Sequence, residues 1–264
     1  MKPIVRWMGG KRKELPLIKK HIPDYDTYIE PFVGGGALLF ELNPQKAVIN
    51  DAYRPLVCVY ECVKNGMGEQ LYHDLKNDVN SKERYYEVRD STPQNDYETA
   101  KQLLYVRKLC FRGIIHFNKH GKMRIAYGGN YSGGTSKGVY RKILYPELLN
   151  KDVVDLIQRT HIMHGDFERV FQEYNDEKNF MFLDPPYDCE LSNYGNGNFT
   201  KDDHLRLFKC FRETKNKCLM VISDTPFIRD LYKDYIVEEY HAVYGIRSCK
   251  NPIVHLVIKN YQHL

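Results

Sequence analysis

The sequence predicts an α/β protein, an open sheet interrupted by a mostly helical insertion. Three observations carry this. Short apolar runs of β-type residues alternate with helical patterns towards both ends of the chain, as in layered α/β folds. A glycine-rich turn follows the first such run and leads into an apolar segment of helical character. Between the two parts, roughly residues 54 to 146, the alternation stops, and helices, a hairpin and a glycine-rich loop replace it. The 264 residues, 42% of them hydrophobic, suffice for one large domain or one domain with an insertion.

In chain order, Lys11 to His21 has a helical pattern that ends before Pro23. Tyr28 to Phe32 reads as a strand, Val33-Gly34-Gly35-Gly36 as the turn after it, and Ala37 to Leu42 as the start of a helix. Lys46 to Asn50 is a second strand ending on Asp51. From Arg54 to about Phe111 the patterns are helical, broken at Gly66 and Gly68 and by a polar stretch from Asp90 to Asp96. Gly113 to Gly128 alternates like a hairpin with Lys119-His120-Gly121 at its tip, and Tyr131 to Gly138 is a loop. After Pro146 the alternation resumes: a helix near Glu147 to Arg159, then strands His161 to His164 and Phe180 to Leu183. A helix near Asp202 to Thr214, strand Cys218 to Ser223, helix Pro226 to Tyr235, and strands Ile236 to Tyr244 and Ile253 to Lys259 complete the chain. The predicted division is 1–53 with 147–264 for the sheet-bearing domain and 54–146 for the insertion.

Composition excludes several classes. No apolar run approaches the roughly 18–20 residues of a membrane span, and Met1 to Trp7 lacks the apolar core of a signal peptide. Seven scattered cysteines with no C-x-x-C pair read as reduced thiols of a cytoplasmic protein, and no His/Cys cluster has metal spacing, so no metal is expected.

Charge is unevenly placed. Thr99 to Pro146 holds no Asp or Glu but ten cations: Lys101, Arg107, Lys108, Arg112, Lys119, Lys122, Arg124, Lys137, Arg141 and Lys142. The whole chain is +5, so the remainder carries −5 and the cationic character is local. A solvated basic face normally mixes in carboxylates. An acid-free basic segment is the electrostatic footprint of nucleic-acid binding.

Two motifs carry chemistry. Asp184-Pro185-Pro186-Tyr187 follows an apolar strand, and its prolines stop that strand and fix a turn. The turn offers a carboxylate, a prolyl carbonyl and an aromatic ring together. That set suits an exocyclic amino group on a flat base, with two acceptors for its hydrogens and a ring for its face. Turn punctuation alone is the plainer account. The second motif, Glu30-Pro31-Phe32-Val33-Gly34-Gly35-Gly36, lies where a nucleotide-like ligand binds in open sheets, and Asp51 ends the next strand, placed for two ribose hydroxyls. The spacing is a poor dinucleotide fingerprint and no P-loop follows, which favours a single-nucleoside cofactor.

In motif order and spacing the chain resembles the Dam-type DNA adenine-N6 methyltransferases, the class in which the cofactor motif precedes the target-recognition domain and then DPPY. The resemblance rests on Arg6-Trp7-Met8-Gly9-Gly10-Lys11, the Glu30 to Gly36 turn, Asn50-Asp51, His164-Gly165-Asp166-Phe167 and Asp184 to Tyr187. It implies a Rossmann-like S-adenosylmethionine-dependent methyltransferase sheet with an inserted, mostly helical target-recognition domain carrying a β-hairpin. It also implies transfer of a methyl group from S-adenosylmethionine to a flipped adenine in double-stranded DNA. Cofactor contacts are then expected from Trp7, Gly9, Lys11, Pro31, Phe32, Gly34, Gly36, Asp51, Asp166, Phe167, Asp184 and Phe199, with Lys11 on the methionine carboxylate and Phe167 on the adenine. Asp184 and the Pro185 carbonyl would take the two N6 hydrogens, and Tyr187 would stack on the base.

The reading head departs from the GATC-specific pattern. His116 stands where a base-reading Arg is expected, Ala126 where a Pro is expected, and Asn130 where a basic or aromatic reader often lies. Histidine lacks the fork that grips guanine twice, so a site other than GATC, or a relaxed one, is expected. Arg6, Arg112, His116, Asn118, Arg124 and Asn130 are the base-side candidates. Lys119, Lys122, Lys137 and Lys142 are the phosphate candidates, and Phe111 is the wedge into the duplex. Methylation of cytosine N4 or of a protein glutamine amide, and a non-catalytic DNA-binding relative, stay open as alternatives. A bacterial, phage or viral origin and a cognate restriction endonuclease as partner fit the resemblance.

Overall fold

In the computed structural model the described residues are 1–7, 9–111, 123–129, 142–187, 199–242 and 253–262. Seven strands make one sheet: β1 (Thr27–Glu30), β2 (Ala47–Asp51), β3 (Thr160–His164), β4 (Asn179–Leu183), β5 (Lys217–Ser223), β6 (Ile236–Ala242) and β7 (Ile253–Lys259). Their order is β3-β2-β1-β4-β5-β7-β6. The first five run parallel, β7 is antiparallel to β5, and β6 is antiparallel to β7. Phe180-Met181-Phe182-Leu183 is buried along its whole length, as a central parallel strand covered on both faces must be.

The chain winds outward from β1 through β2 to β3, then crosses to β4 on the other side of β1. The order therefore reverses between β1 and β4, and a crevice opens beyond their carboxyl ends. Thr27 pairs with Asn179 and Ile29 with Met181, which sets Glu30 level with Phe182 and two residues short of Asp184.

The helices are α1 (Leu15–Ile18), α2 (Ala37–Leu42), α3 (Arg54–Lys64), α4 (Gly68–Asn77), α5 (Lys82–Asp90), α6 (Asp96–Leu109), α7 (Lys151–Arg159), α8 (Phe167–Glu173), α9 (Lys201–Glu213) and α10 (Pro226–Tyr232). Gly66, at φ +78°, supplies the break between α3 and α4. Although the insertion is expected to begin at residue 54, α3 lies on the sheet. Its Tyr60 hydroxyl donates to the Gly34 carbonyl at 2.8 Å and its Lys64 ammonium to the Thr160 carbonyl. One continuous buried cluster runs from Ile49 through Leu56 and Tyr60 to Leu103 and Tyr85.

Three expected helices differ. The Lys11 to His21 segment is the single turn α1 between two 3-10 turns, because Pro16 inside a continuous helix would lack its donor and clash with the preceding turn. The expected helix from Glu147 is a 3-10 turn, Pro146–Leu149, followed by a separate α7. Asn150 interrupts them with extended backbone and accepts the Val153 amide at 3.1 Å as a cap. The Pro226 to Tyr235 helix tightens to a 3-10 turn after Tyr232. Helix α8 was not foreseen. Its signals were Asp166 as N-cap and the buried Phe167, Val170 and Phe171 at helical spacing.

Of the expected hairpin, the base is described: Cys110 pairs antiparallel with Tyr127, and the Phe111 amide donates to the Ala126 carbonyl at 2.9 Å. Its tip lies outside the described residues. No helix among the described residues is long and apolar enough to cross a membrane.

Candidate active site

A cavity of about 1500 Å³ occupies the crevice at the strand reversal. Its walls are the N-terminal segment, the turns after β1 and β4, the ends of β2 and β3, and α9.

The turn after β1 is built around close approach. Gly34 and Gly36 have φ of +48° and +66°, which a side chain resists. A Cβ on Gly35 would sit 2.8 Å from the Val5 carbonyl, and one on Gly34 3.0 Å from the Trp7 ring. The glycines thus let the N-terminal segment lie on the turn, where Trp7 also meets Tyr53 at 5.7 Å. Asn50, buried at the end of β2, donates to the carbonyls of Pro31 (2.9 Å) and Gly165 (3.0 Å) and so ties the β1 and β3 turns together.

Asp51 accepts the Gly34 amide on Oδ2 and the Tyr53 amide on Oδ1, both at 2.9 Å. Burial raises its pKa, and this outweighs the pull of the two amides and of the His164 charge. Each oxygen has lone pairs beyond those two bonds.

Next to it lies an aromatic box. Phe32 meets Phe167 at 5.4 Å and Phe199 at 5.8 Å, and Phe167 meets Phe199 at 5.8 Å. The Arg206 guanidinium covers the Phe167 ring at 4.9 Å and pairs with Asp166 at 2.9 Å. Asp166 itself caps α8 through the Glu168 amide, so within the protein it is a helix cap and an ion-pair partner. Arg206 was not among the sequence candidates. Nothing in its local pattern distinguishes it from an ordinary surface cation of α9.

The other half of the cavity centres on Asp184. The buried Lys11 ammonium donates to Asp184 Oδ1 at 2.5 Å, to the Tyr187 hydroxyl at 2.7 Å and to the Gly9 carbonyl at 3.3 Å. Lys11, expected on a cofactor carboxylate, lines the cavity beside the DPPY turn. Burial pushes the Asp184 carboxyl above its usual range, although the charge and hydrogen bond of Lys11 pull it down. Pro185 is buried, while Pro186 and Tyr187 are half-buried.

Glu30 belongs to the second of the two sequence motifs but carries no expected role from sequence. It is 3% exposed at the end of β1, and its Oε2 has no hydrogen-bond partner among the described residues. Burial pushes its carboxyl up to about 8. The nearby Tyr28 hydroxyl pulls it down and the Asp184 charge pushes it up further. A buried carboxyl with an open acceptor therefore lines the cavity.

Arg6 is exposed on the cavity wall, together with Lys2, Arg12, Lys13 and Lys20, none of which has an ion pair among the described residues. The last four were not proposed from sequence, although seven cations and one carboxylate within the first 20 residues were a visible signal. Phe111 (38% exposed), Arg124 and Lys142 project from the basic segment. Met8, Arg112, His116, Asn118, Lys119, Lys122, Asn130 and Lys137 lie outside the described residues. One further group, Cys58, Glu61 and Asp96, brings metal-type ligand atoms within 4.8 Å of one another. The Arg54 guanidinium pairs both of its carboxylates, at 2.9 and 2.6 Å.

Comparison with known proteins bears on this geometry. The profile of the D12 class N6 adenine-specific DNA methyltransferases matches residues 7–248. The type II methyltransferase M.CviBI of Paramecium bursaria Chlorella virus NC1A is 39% identical over 270 residues, covering 99% of this chain and 100% of its own. M1.LlaDCHI of Lactococcus lactis subsp. cremoris is 31% identical, covering 99% and 96%. M.MjaIII of Methanocaldococcus jannaschii is 30% identical, covering 99% of both chains.

Proposed function

This chain belongs to the D12 class N6 adenine-specific DNA methyltransferase family, and from that premise we propose which of its residues carry which part of the reaction. It is an enzyme, a DNA adenine-N6 methyltransferase. The methyl donor is S-adenosylmethionine, which when bound supplies an activated methyl group on a sulfonium.

The cavity fits that donor. The Phe32, Phe167 and Phe199 box with Arg206 takes a flat adenine, and the remaining lone pairs of Asp51 take the ribose hydroxyls. Glu30 Oε2, buried and unpartnered, suits the cationic methionine end, whose charge draws the carboxyl into its ionised form. Trp7, Gly9, Pro31, Gly34 and Gly36 shape the remaining wall, while Asp166 orients Arg206 over the box.

At the other end Asp184 and the Pro185 carbonyl accept the two N6 hydrogens, and Tyr187 stacks on the base. The observation that carries this is the Lys11 ammonium, a nitrogen donor already bound 2.5 Å from Asp184 and 2.7 Å from the Tyr187 hydroxyl. It supports Asp184 as an acceptor for an amine, and on this reading the ammonium gives up that bond when a base enters. The N6 lone pair is delocalised into the purine ring. Acceptors for both hydrogens favour the pyramidal amine on which charge develops.

Residues 54–146 form the target-recognition insertion in this reading, although α3 is also part of the sheet's cover. Arg112, His116, Asn118, Arg124 and Asn130 read base edges together with Arg6. Phe111 wedges into the duplex, and Lys119, Lys122, Lys137 and Lys142 hold phosphates. The recognition site differs from GATC or is relaxed, and a cognate endonuclease accompanies the enzyme. Incubating the protein with unmethylated plasmid and labelled S-adenosylmethionine, then sequencing modified bases, tests the whole. N6-methyladenine in one short motif is expected. N4-methylcytosine, or cofactor binding without transfer, would overturn it.

A further inference from the structure

Beside the DPPY turn lies a cluster that the reaction as described does not use, with Glu14 and Tyr240 on the cavity wall. His255 on β7 is fully buried, and its ring meets the Tyr187 ring at 5.5 Å with 72° between planes. Its cross-strand neighbour on β6 is Tyr240, whose ring meets it at 5.6 Å and 77°. The imidazole Nδ1 is 2.9 Å from Glu14 Oε2, and the Tyr240 hydroxyl donates to the same carboxylate oxygen. Burial raises the Glu14 carboxyl, but the His255 hydrogen bond, the Lys11 charge and the Tyr240 hydroxyl together hold it below its usual range. Glu14 is therefore an anion, three residues from Lys11, that locks one edge of the imidazole in place.

Three distant segments meet here: the N-terminal segment through Glu14, the antiparallel end of the sheet through Tyr240 and His255, and the DPPY turn through Tyr187. Edge-to-face ring contacts fix orientation, and the imidazole is held in plane by a charged partner. We propose that His255 is a positioning residue, whose ring, oriented by Glu14, sets the tilt of Tyr187 and so the angle at which the target base presents N6 to the methyl group. This rests on the reading of Tyr187 as the stacking ring. Methyl transfer needs near-attack alignment, so a tilted platform costs rate rather than affinity.

Two substitutions of the same residue separate positioning from mere structure. His255→Asn retains a donor for Glu14 but removes the ring. His255→Phe restores an aromatic edge but loses the donor. With single-turnover methylation of a duplex carrying the enzyme's own site, His255→Asn should lower the rate at least about tenfold, with affinities for S-adenosylmethionine and DNA within about twofold. His255→Phe should recover most of the lost rate. With 2-aminopurine at the target position, the His255→Asn complex should be brighter than wild type, because the base is extruded but poorly stacked.

A wild-type rate for His255→Asn, or a fast Asn variant beside a slow Phe variant, would overturn the inference in favour of a purely structural hydrogen bond. If neither variant folds by thermal melting, the wild-type protein with 13C-labelled histidine decides. The His255 ring resonance should shift on adding target duplex with S-adenosylhomocysteine, and an unmoved resonance overturns the inference. A wild-type protein that transfers no methyl to adenine would sink the function itself, and this inference with it. An active wild type with indifferent variants sinks the inference alone.

Discussion

Asp51 and Asp184 line one cavity, both half-buried and both pushed above the ordinary carboxylate range by desolvation, yet they are partnered in different ways. Asp51 is held by two backbone amides, which belong to the fold and cannot leave. Asp184 is held by the ammonium of Lys11, on a flexible four-carbon stem. A carboxylate fixed by backbone is a permanent fixture that offers its remaining lone pairs to a resident ligand. A carboxylate satisfied by a side-chain amine can exchange that amine for another. In the proposed reading the first is the binding group and the second the group that meets a substrate which comes and goes.

The sharpest way to break this contrast is Asp184→Ala. Methyl transfer should be abolished while duplex affinity stays near wild type. A loss below about tenfold, roughly 1.4 kcal/mol of barrier, would remove Asp184 from its role. Asp51→Ala should act on affinity, weakening S-adenosylmethionine by about 1.5–3 kcal/mol, as calorimetry would read. Unchanged affinity would mean that the backbone-held carboxylate is only structural.

Glu30 sharpens the contrast, since it is buried and its Oε2 has no hydrogen-bond partner among the described residues. Its folded pKa of about 8 stands above the 4.5 of an unperturbed glutamate, so the folded state keeps a proton that the unfolded state releases. Its contribution to stability therefore falls as pH rises from about 4.5 to about 8. Glu30→Gln should flatten that slope in urea unfolding at pH 5.5 and 8. As pH increases towards about 8, the wild-type affinity for S-adenosylmethionine should rise by up to about tenfold per unit, a dependence the variant should lose. A parallel pH profile in wild type and variant would argue that Glu30 does not face the cationic end of the cofactor.

The smallest effect belongs to a cation that has nothing to exchange. Lys13 lies two residues from Lys11 but is exposed, with no ion pair among the described residues. Lys13→Ala should weaken duplex binding alike on all sequences and lower the salt slope by about one unit, without touching transfer at saturating DNA. A change in the methylated motif would place Lys13 on a base instead.

Much of this molecule was legible before any coordinates. The strands Phe180 to Leu183 and Ile253 to Lys259, the Ala37 to Leu42 helix and the break at Gly66 follow from apolar runs, helical spacing and glycine, which act over a few residues. The same locality made Asp184 to Tyr187 and the Glu30 to Gly36 turn stand out, because each presents its chemistry within one turn of chain. Where local signals competed, the expectation failed. Pro16 and Asn150 each cut a helix that the apolar spacing alone would continue.

Only the tertiary structure decided which residues share the cavity. Lys11 meets Asp184 across 173 residues of sequence, and Glu14 meets His255 across 241. Arg206 reaches Phe167 from a different helix, and Glu30 loses its solvent where segments distant in sequence, α3 with Tyr60 among them, cover its face of the sheet. Charge and hydrogen bonding fall off within a few ångströms, so they answer to proximity in space. The strand order brings these groups together. The sequence encodes that order through the sum of buried contacts across the sheet, which no single stretch of residues displays.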